Sequence, residues 1–257
     1  MCRAFSCLIL KDGEVVWRAG LDSHENLIDL LSDDQKKKED YVRAEVVPPQ
    51  DICYPYLHPE LDWTLSIDET EPEWFSVTHR QNGIKAFEEW KHQIYDNFNY
   101  KEALNPVNPS LVRLHKVSKN DISNLKRCMK VSDSVWSSVW DSVRDSVWSS
   151  VWDSIGDSVW SSVWDSIGDS VWDSVWSSVW DSVWSSVWDS IGGYIGSLFP
   201  NIKTWKYTGE LEYGKGKYPF QCYADLWRRG FILSFDGKKW RLHAGKDAHI
   251  VCELDRL

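Results

Sequence analysis

The sequence predicts three parts: an α+β N-terminal domain over residues 1–115, a central β-solenoid of tetrapeptide repeats over 134–198, and a small αβ C-terminal domain over 199–257. Residues 116–133 are read as a linker and the N-terminal cap of the repeat. Three observations carry this reading. Fifteen tetrads of the form Ser-Val-Trp-Asp/Ser run unbroken from Ser134 to Gly193, and Tyr194-Ile195-Gly196-Ser197 closes them as a worn sixteenth. Ahead of the repeat, strand-like stretches mix with one amphipathic helix; behind it lie a short helix and a hairpin.

In the first domain, Phe5 to Leu10 and Glu14 to Arg18 read as strands around an Asp12-Gly13 turn. Ser23 is placed to cap a helix through Leu31, with Asp22, Glu25 and Asp29 suiting its N-terminal half. A charged loop, Asp33 to Asp40, follows. Tyr41 to Val47 is a strand stopped by Pro48-Pro49, and Trp63 to Asp68 is another. Pro72 opens a turn carrying Trp74 and Phe75. Gly83 to Phe98 puts Ile84, Phe87, Trp90, Ile94 and Phe98 on one helical face. Asn105 to Pro109 is a linker, and Ser118 to Lys130 is a helix leading into the repeat. After Leu198 to Pro200, Asp225 to Arg229 reads as helix, Phe231–Phe235 and Lys239–His243 as a hairpin around Asp236-Gly237, and Ala248 to Leu254 as a last strand.

Within the tetrads, position one is always Ser and position two only Val or Ile. Position three is Trp, Gly or Arg, and position four Asp, Ser or Gly. A close-packed site does not accept Trp, Gly and Arg interchangeably. Ser and Val/Ile are therefore expected to face inward and Trp and Asp outward; the opposite register, with Trp as core, is the alternative. A period of four advances about 400°, so an apolar stripe drifts about 40° per tetrad around an α-helix. Ser, Val, Trp, Asp and Gly are also poor helix formers, which disfavours one long helix. Short strands with a corner in each tetrad give a solenoid instead, with twelve residues per coil (a second period visible from Ser134 to Asp169) or sixteen.

The formal net charge is −10, and residues 131–198 hold ten Asp against Arg144 alone, so the acidity belongs to the repeat. That argues against the repeat binding nucleic acid, which needs Lys and Arg. Six cysteines are scattered, none forming CxxC, and no two histidines share metal-ligand spacing; no metal and no cofactor are indicated. The N-terminus lacks an apolar signal region and no run reaches transmembrane length, so the expectation is a cytoplasmic protein with reduced thiols and no membrane partner.

Three stretches carry a resemblance: Met1 to Cys7, Tyr194 to Ile202, and Ser234 to His243. They look like those of bacteriophage- and prophage-type proteins without assigned activity that carry variable numbers of the same tetrads. The resemblance implies a viral or mobile-element origin and hence the cytoplasm of an infected or lysogenic host. It brings no site residues with it.

Functionally, the sharpest feature is the Trp row: Trp136, Trp140, Trp148, Trp152, Trp160, Trp164, Trp172, Trp176, Trp180, Trp184 and Trp188. A regular apolar array of that size marks an interface. The expectation is a non-enzymatic interaction or scaffold protein that self-associates through the repeat, with a host protein as a possible partner. Two alternatives differ in class. Cys2 would be an N-terminal nucleophile once Met1 is removed, with its free amine as base. The Asp rows would imitate DNA phosphates and occupy a host DNA-binding protein. His24, with Asp22 and Glu25, is explained by a helix N-terminus, and Arg228-Arg229 with Lys238, Lys239 and Arg241 by a solvated basic face.

Overall fold

A computed structural model of the chain describes residues 5–19, 21, 23–38, 40–49, 58–132, 135–146, 155, 159, 180–209, 211, 213 and 216–256. These fall into two compact units, one holding the described residues up to Asn97 and the other those from Phe98 onward.

The first unit is built on a four-stranded antiparallel sheet of order β2-β1-β3-β4, from β1 (Phe5–Leu10), β2 (Val15–Val16), β3 (Tyr41–Val47) and β4 (Thr64–Ile67). Strand β1 is buried at all six positions, which explains why it reads as a continuous apolar run rather than an alternation. On one face, Phe5 packs against Phe87 and Trp90 of helix α3 (Val77–Tyr95), and Trp63 meets the same two rings. On the other, Leu8 and Leu10 pack with Leu27 and Leu31 from and just after helix α1 (His24–Ile28). Strand β3 alternates, with Val42, Ala44 and Val46 buried and Arg43 and Glu45 on the opposite face. Helix α2 (Asp33–Lys38) forms where a charged loop is expected; Ser32 starts it by exchanging hydrogen bonds with Gln35. Helix α3 begins six residues before the expected Gly83 because Ser76 caps it: the Ser76 amide donates to His79 Nδ1 (3.0 Å), and His79 Nε2 donates to Lys11 O (3.1 Å).

The second unit starts with α4 (Tyr100–Leu104), a 3-10 turn at Pro109–Leu111 and α5 (Lys119–Val131). Ser118, read as the first residue of this helix, instead caps α5 in a reciprocal box with Asp121. Helices α6 (Val135–Ser146), α7 (Trp180–Gly196) and α8 (Gln221–Arg228) follow, then a three-stranded antiparallel sheet of β5 (Phe231–Phe235), β6 (Lys239–Ala244) and β7 (His249–Asp255). Helix α7 is central: it packs against α6, α8 and β5.

The β-solenoid expected over 134–198 is therefore corrected. The repeat residues described up to Gly196 are helical, and both sheets lie outside the repeat. The drift argument fails because it treats the repeat as one long helix. Over three tetrads the drift is only about 80°, which a stripe about 100° wide absorbs. Positions one and two then fall at Val135, Ser138, Val139, Ser142 and Val143, the i, i+3, i+4, i+7, i+8 pattern of an amphipathic helix, and all five are buried. Tertiary packing overrides the weak intrinsic propensities.

Candidate interaction surface: the repeat helices

The repeat helices sort their side chains by position in the tetrad. In α6 and α7, Ser138, Ser142, Ser186 and Ser190 are buried, as are Val135, Val139, Val143, Val187 and Ile191; the helical Ile155 and Val159 are buried too. The inward assignment of Ser and Val/Ile is thus correct for these residues, on a helix instead of a solenoid. Serine suits position one for a specific reason. Ser138 Oγ donates to Lys206 O and Lys206 N donates to Ser142 Oγ (2.8 Å), so two successive serines satisfy both backbone groups of one loop residue. Ser186 Oγ accepts from Phe235 N (2.9 Å) at the end of β5. A bulkier residue would fill the space that lets those backbones approach.

The indoles of Trp136, Trp140 and Trp188 are half-buried. Trp136 lies edge-on to Trp188 at 4.7 Å and stacks on Trp140 at 6.1 Å, so the tryptophans of two repeat helices clasp one another at the rim of the contact. Gly192 occupies position three opposite them: a Cβ there would stand 3.0 Å from Trp136 Cε3. The Trp/Gly exchange at position three is here a packing device, one ring and one slot. The position-four aspartates also have partners. Asp189 accepts from Trp136 N (3.3 Å) in the first turn of α6, and Asp141 from Tyr207 Oη (2.7 Å).

Of the other expected interface residues, Trp148, Trp152, Trp160, Trp164, Trp172 and Trp176 lie outside the described residues, as does Cys2. Trp180 and Trp184 are helical.

The worn sixteenth tetrad anchors the array. Tyr194 takes the place of the position-one Ser and is fully buried, stacked on Trp227 at 5.4 Å. Its hydroxyl accepts from Val107 N (2.9 Å) and donates to Glu102 Oε1 (3.2 Å). Arg228 Nε donates to the same carboxylate oxygen (2.9 Å) and its terminal nitrogen to Ser197 Oγ (2.9 Å). Burial pushes the Tyr194 hydroxyl well above the usual phenol range. The basic patch read at 228–241 is divided accordingly: Arg228 pairs with Glu102, Arg229 with Asp121, and Arg241 with Asp236 and Glu253.

Two clusters carry titratable chemistry elsewhere. Ser234 and His243 are fully buried. Ser234 Oγ donates to His243 Nε2 (2.7 Å), and His243 Nδ1 donates to Ala248 O (2.9 Å). The pair has the donor order of a nucleophile and its base, but without solvent exposure it fastens β5 to β6 and the turn beyond. Burial, aided by Arg241, holds His243 below the usual histidine range. The unfolded chain therefore takes up this proton first as pH falls. Stability from His243 is complete above about pH 6.5 and declines below it. NMR titration should place the His243 midpoint below the ordinary histidine value, and a midpoint above it would contradict this assignment. In the first unit, His24, Glu45 and Asp68 converge, with ligand atoms within 4.8 Å of one another; among the described residues they are the group able to hold a metal ion. The sequence associates His24 with Asp22 and Glu25 instead. Strand register alone brings Glu45 and Asp68 to it.

Comparison with protein-family models, with curated proteins and with solved structures finds no match.

Proposed function

We propose that this chain is a non-enzymatic interaction protein whose acidic, Trp-bearing repeat helices are its working surface, and that copies associate through them. One observation carries the reading. In α6 and α7 the described position-one Ser and position-two Val/Ile side chains are consumed by packing within the chain, while Trp136, Trp140, Trp188, Asp141 and Asp189 remain partly open to solvent. The contact of Trp136 with Trp188 supplies the pattern that a second copy would repeat: an indole edge against an indole face, rimmed by carboxylates that keep the surface in water. The resemblance of the tetrads and flanking segments to phage-type proteins supports placing it in the cytoplasm of an infected or lysogenic host. No helix among the described residues is long and apolar enough to cross a membrane.

The test is assembly state. Light scattering on the full chain should give an oligomer. Changing Trp160, Trp164, Trp172 and Trp176 together to Ser should give a monomer with its helical circular dichroism retained. A monomeric parent chain would overturn the proposal, and so would a variant that unfolds, since those rings would then be core.

A further inference from the structure

We propose that His24, Glu45 and Asp68 form a binding site for a first-row divalent metal ion of the Zn²⁺ type, independent of the repeat. The argument starts from the alternation of two neighbouring strands. Glu45 of β3 pairs with Ser66 of β4, and the Asp68 amide continues that ladder to Arg43 O (3.1 Å), so Glu45 and Asp68 stand on one face of the sheet. Helix α1 packs against the sheet and places His24, 4% exposed, over that face.

The ring's hydrogen bonding then fixes its chemistry. His24 Nε2 lies 3.2 Å from Ala44 O. A carbonyl oxygen only accepts, so Nε2 carries the proton. Neutral imidazole therefore presents a bare lone pair at Nδ1, and Nδ1 lies 3.2 Å from Asp68 Oδ2. Two acceptors at that distance need a cation between them, either a second ring proton or a metal ion. A histidine whose far nitrogen donates to a backbone carbonyl is oriented as metal-bound histidines are. The spacing fits as well: two ligand atoms about 2.0–2.1 Å from a tetrahedral Zn²⁺ are about 3.3 Å apart. Glu45 closes the third position by turning its terminal torsions, which a half-exposed side chain can do. The side chain of Asp68 is 37% exposed, so the fourth position opens to solvent.

The surrounding charges favour a cation. Among the described residues no Lys or Arg is ion-paired with Glu45 or Asp68; the nearby Arg43 pairs with Glu69 at 3.5 Å. One imidazole with two carboxylates suits Zn²⁺ better than the harder Mg²⁺ or Ca²⁺, which take all-oxygen sets.

The probe is the metal alone, on the full chain stripped with chelator and kept reduced. Titration calorimetry at neutral pH should show one equivalent of Zn²⁺ bound. Co²⁺ should give weak visible bands without thiolate charge transfer, because the ligands are nitrogen and oxygen. Asp68→Asn and Glu45→Gln, both at accessible positions, should each weaken binding by about tenfold or more, with circular dichroism unchanged. Failure to bind Zn²⁺, with a His24 imidazolium seen by NMR, would overturn the site and leave a proton in the gap. A thiolate band, or affinity unchanged in both variants, would overturn it in favour of the cysteines. Neither result bears on self-association, which is read on the repeat.

Discussion

Gly192→Trp, which restores the residue found at position three of most tetrads, is expected to destabilise the second unit by at least about 3 kcal/mol. A single Cβ at Gly192 already stands 3.0 Å from Trp136 Cε3. An indole would have to displace Trp136, and Trp136 is held between Trp140 and Trp188. Forcing a few extra methylenes into a packed site costs about 1–3 kcal/mol, and an indole is larger. The gain in helix propensity from removing glycine is well under 1 kcal/mol and cannot offset this. Gly193→Ala should behave alike on a smaller scale: its Cβ would sit 2.5 Å from Tyr223 Cβ, and both atoms are fixed to backbone, so α7 and α8 must separate. Urea midpoints measure both, with Ser185→Ala, at an exposed position of α7, as the neutral control. A Gly192→Trp midpoint equal to that of the parent would show that the ring-in-slot packing is wrong.

Arg229→Met is expected to cost about 2–3 kcal/mol, at or just below the range of about 3–5 kcal/mol for stranding a buried charge, because Arg229 itself is partly exposed. Asp121 has no exposed side-chain surface. It accepts from Ser118 N (2.7 Å) and Ser118 Oγ (2.7 Å) and pairs with Arg229 Nε at 2.6 Å. Burial alone would raise its pKa, but the two Ser118 hydrogen bonds and Arg229 outweigh it, so the carboxyl lies below its usual range. A depressed folded-state pKa stabilises above the unfolded value, about 3.9, and that contribution disappears as pH falls through the folded one. The difference in unfolding free energy between parent and variant should therefore be full at pH 7 and shrink in acid below about pH 4. A difference that does not change with pH would mean that Arg229 acts through its aliphatic packing alone.

How far the fold was legible depended on whether a segment's partner was local. Strands Phe5–Leu10, Tyr41–Val47 and Phe231–Phe235 occupy the residues expected of them. Their β-branched and aromatic runs are bounded by turn residues, and in the last hairpin Gly237 adopts φ +85°. Helix α2 was not legible, because Asp33 to Lys38 has no apolar face and its start depends on the Ser32–Gln35 pair. The repeat was half legible. The inward positions, Ser and Val/Ile, were legible as the ones that do not vary, but position three is not the open site that its variation suggests: Trp136, Trp140 and Trp188 are half-buried and Gly192 is a slot against Trp136. Whether the backbone was helix or strand did not follow, because the drift that forbids a sixty-residue helix fits one stripe over the twelve residues of α6 and, over the seventeen of α7, is taken up by packing against three elements.

The sequence by itself determined the apolar pattern, the concentration of negative charge in the repeat, the helix that leads into it and most strand positions. These depend on neighbours within a few residues, where propensity, capping and periodicity act. Tertiary structure alone decided that α7 is the element on which the second unit packs, that Gly192 is a slot for Trp136, and that Tyr194 ties the last tetrad to Glu102 and Val107. It alone set His24 against Glu45 and Asp68. The reason is the same in each case: these contacts join residues distant in sequence, and strand register and helix packing fix them at ångström scale, which periodicity along one segment does not encode.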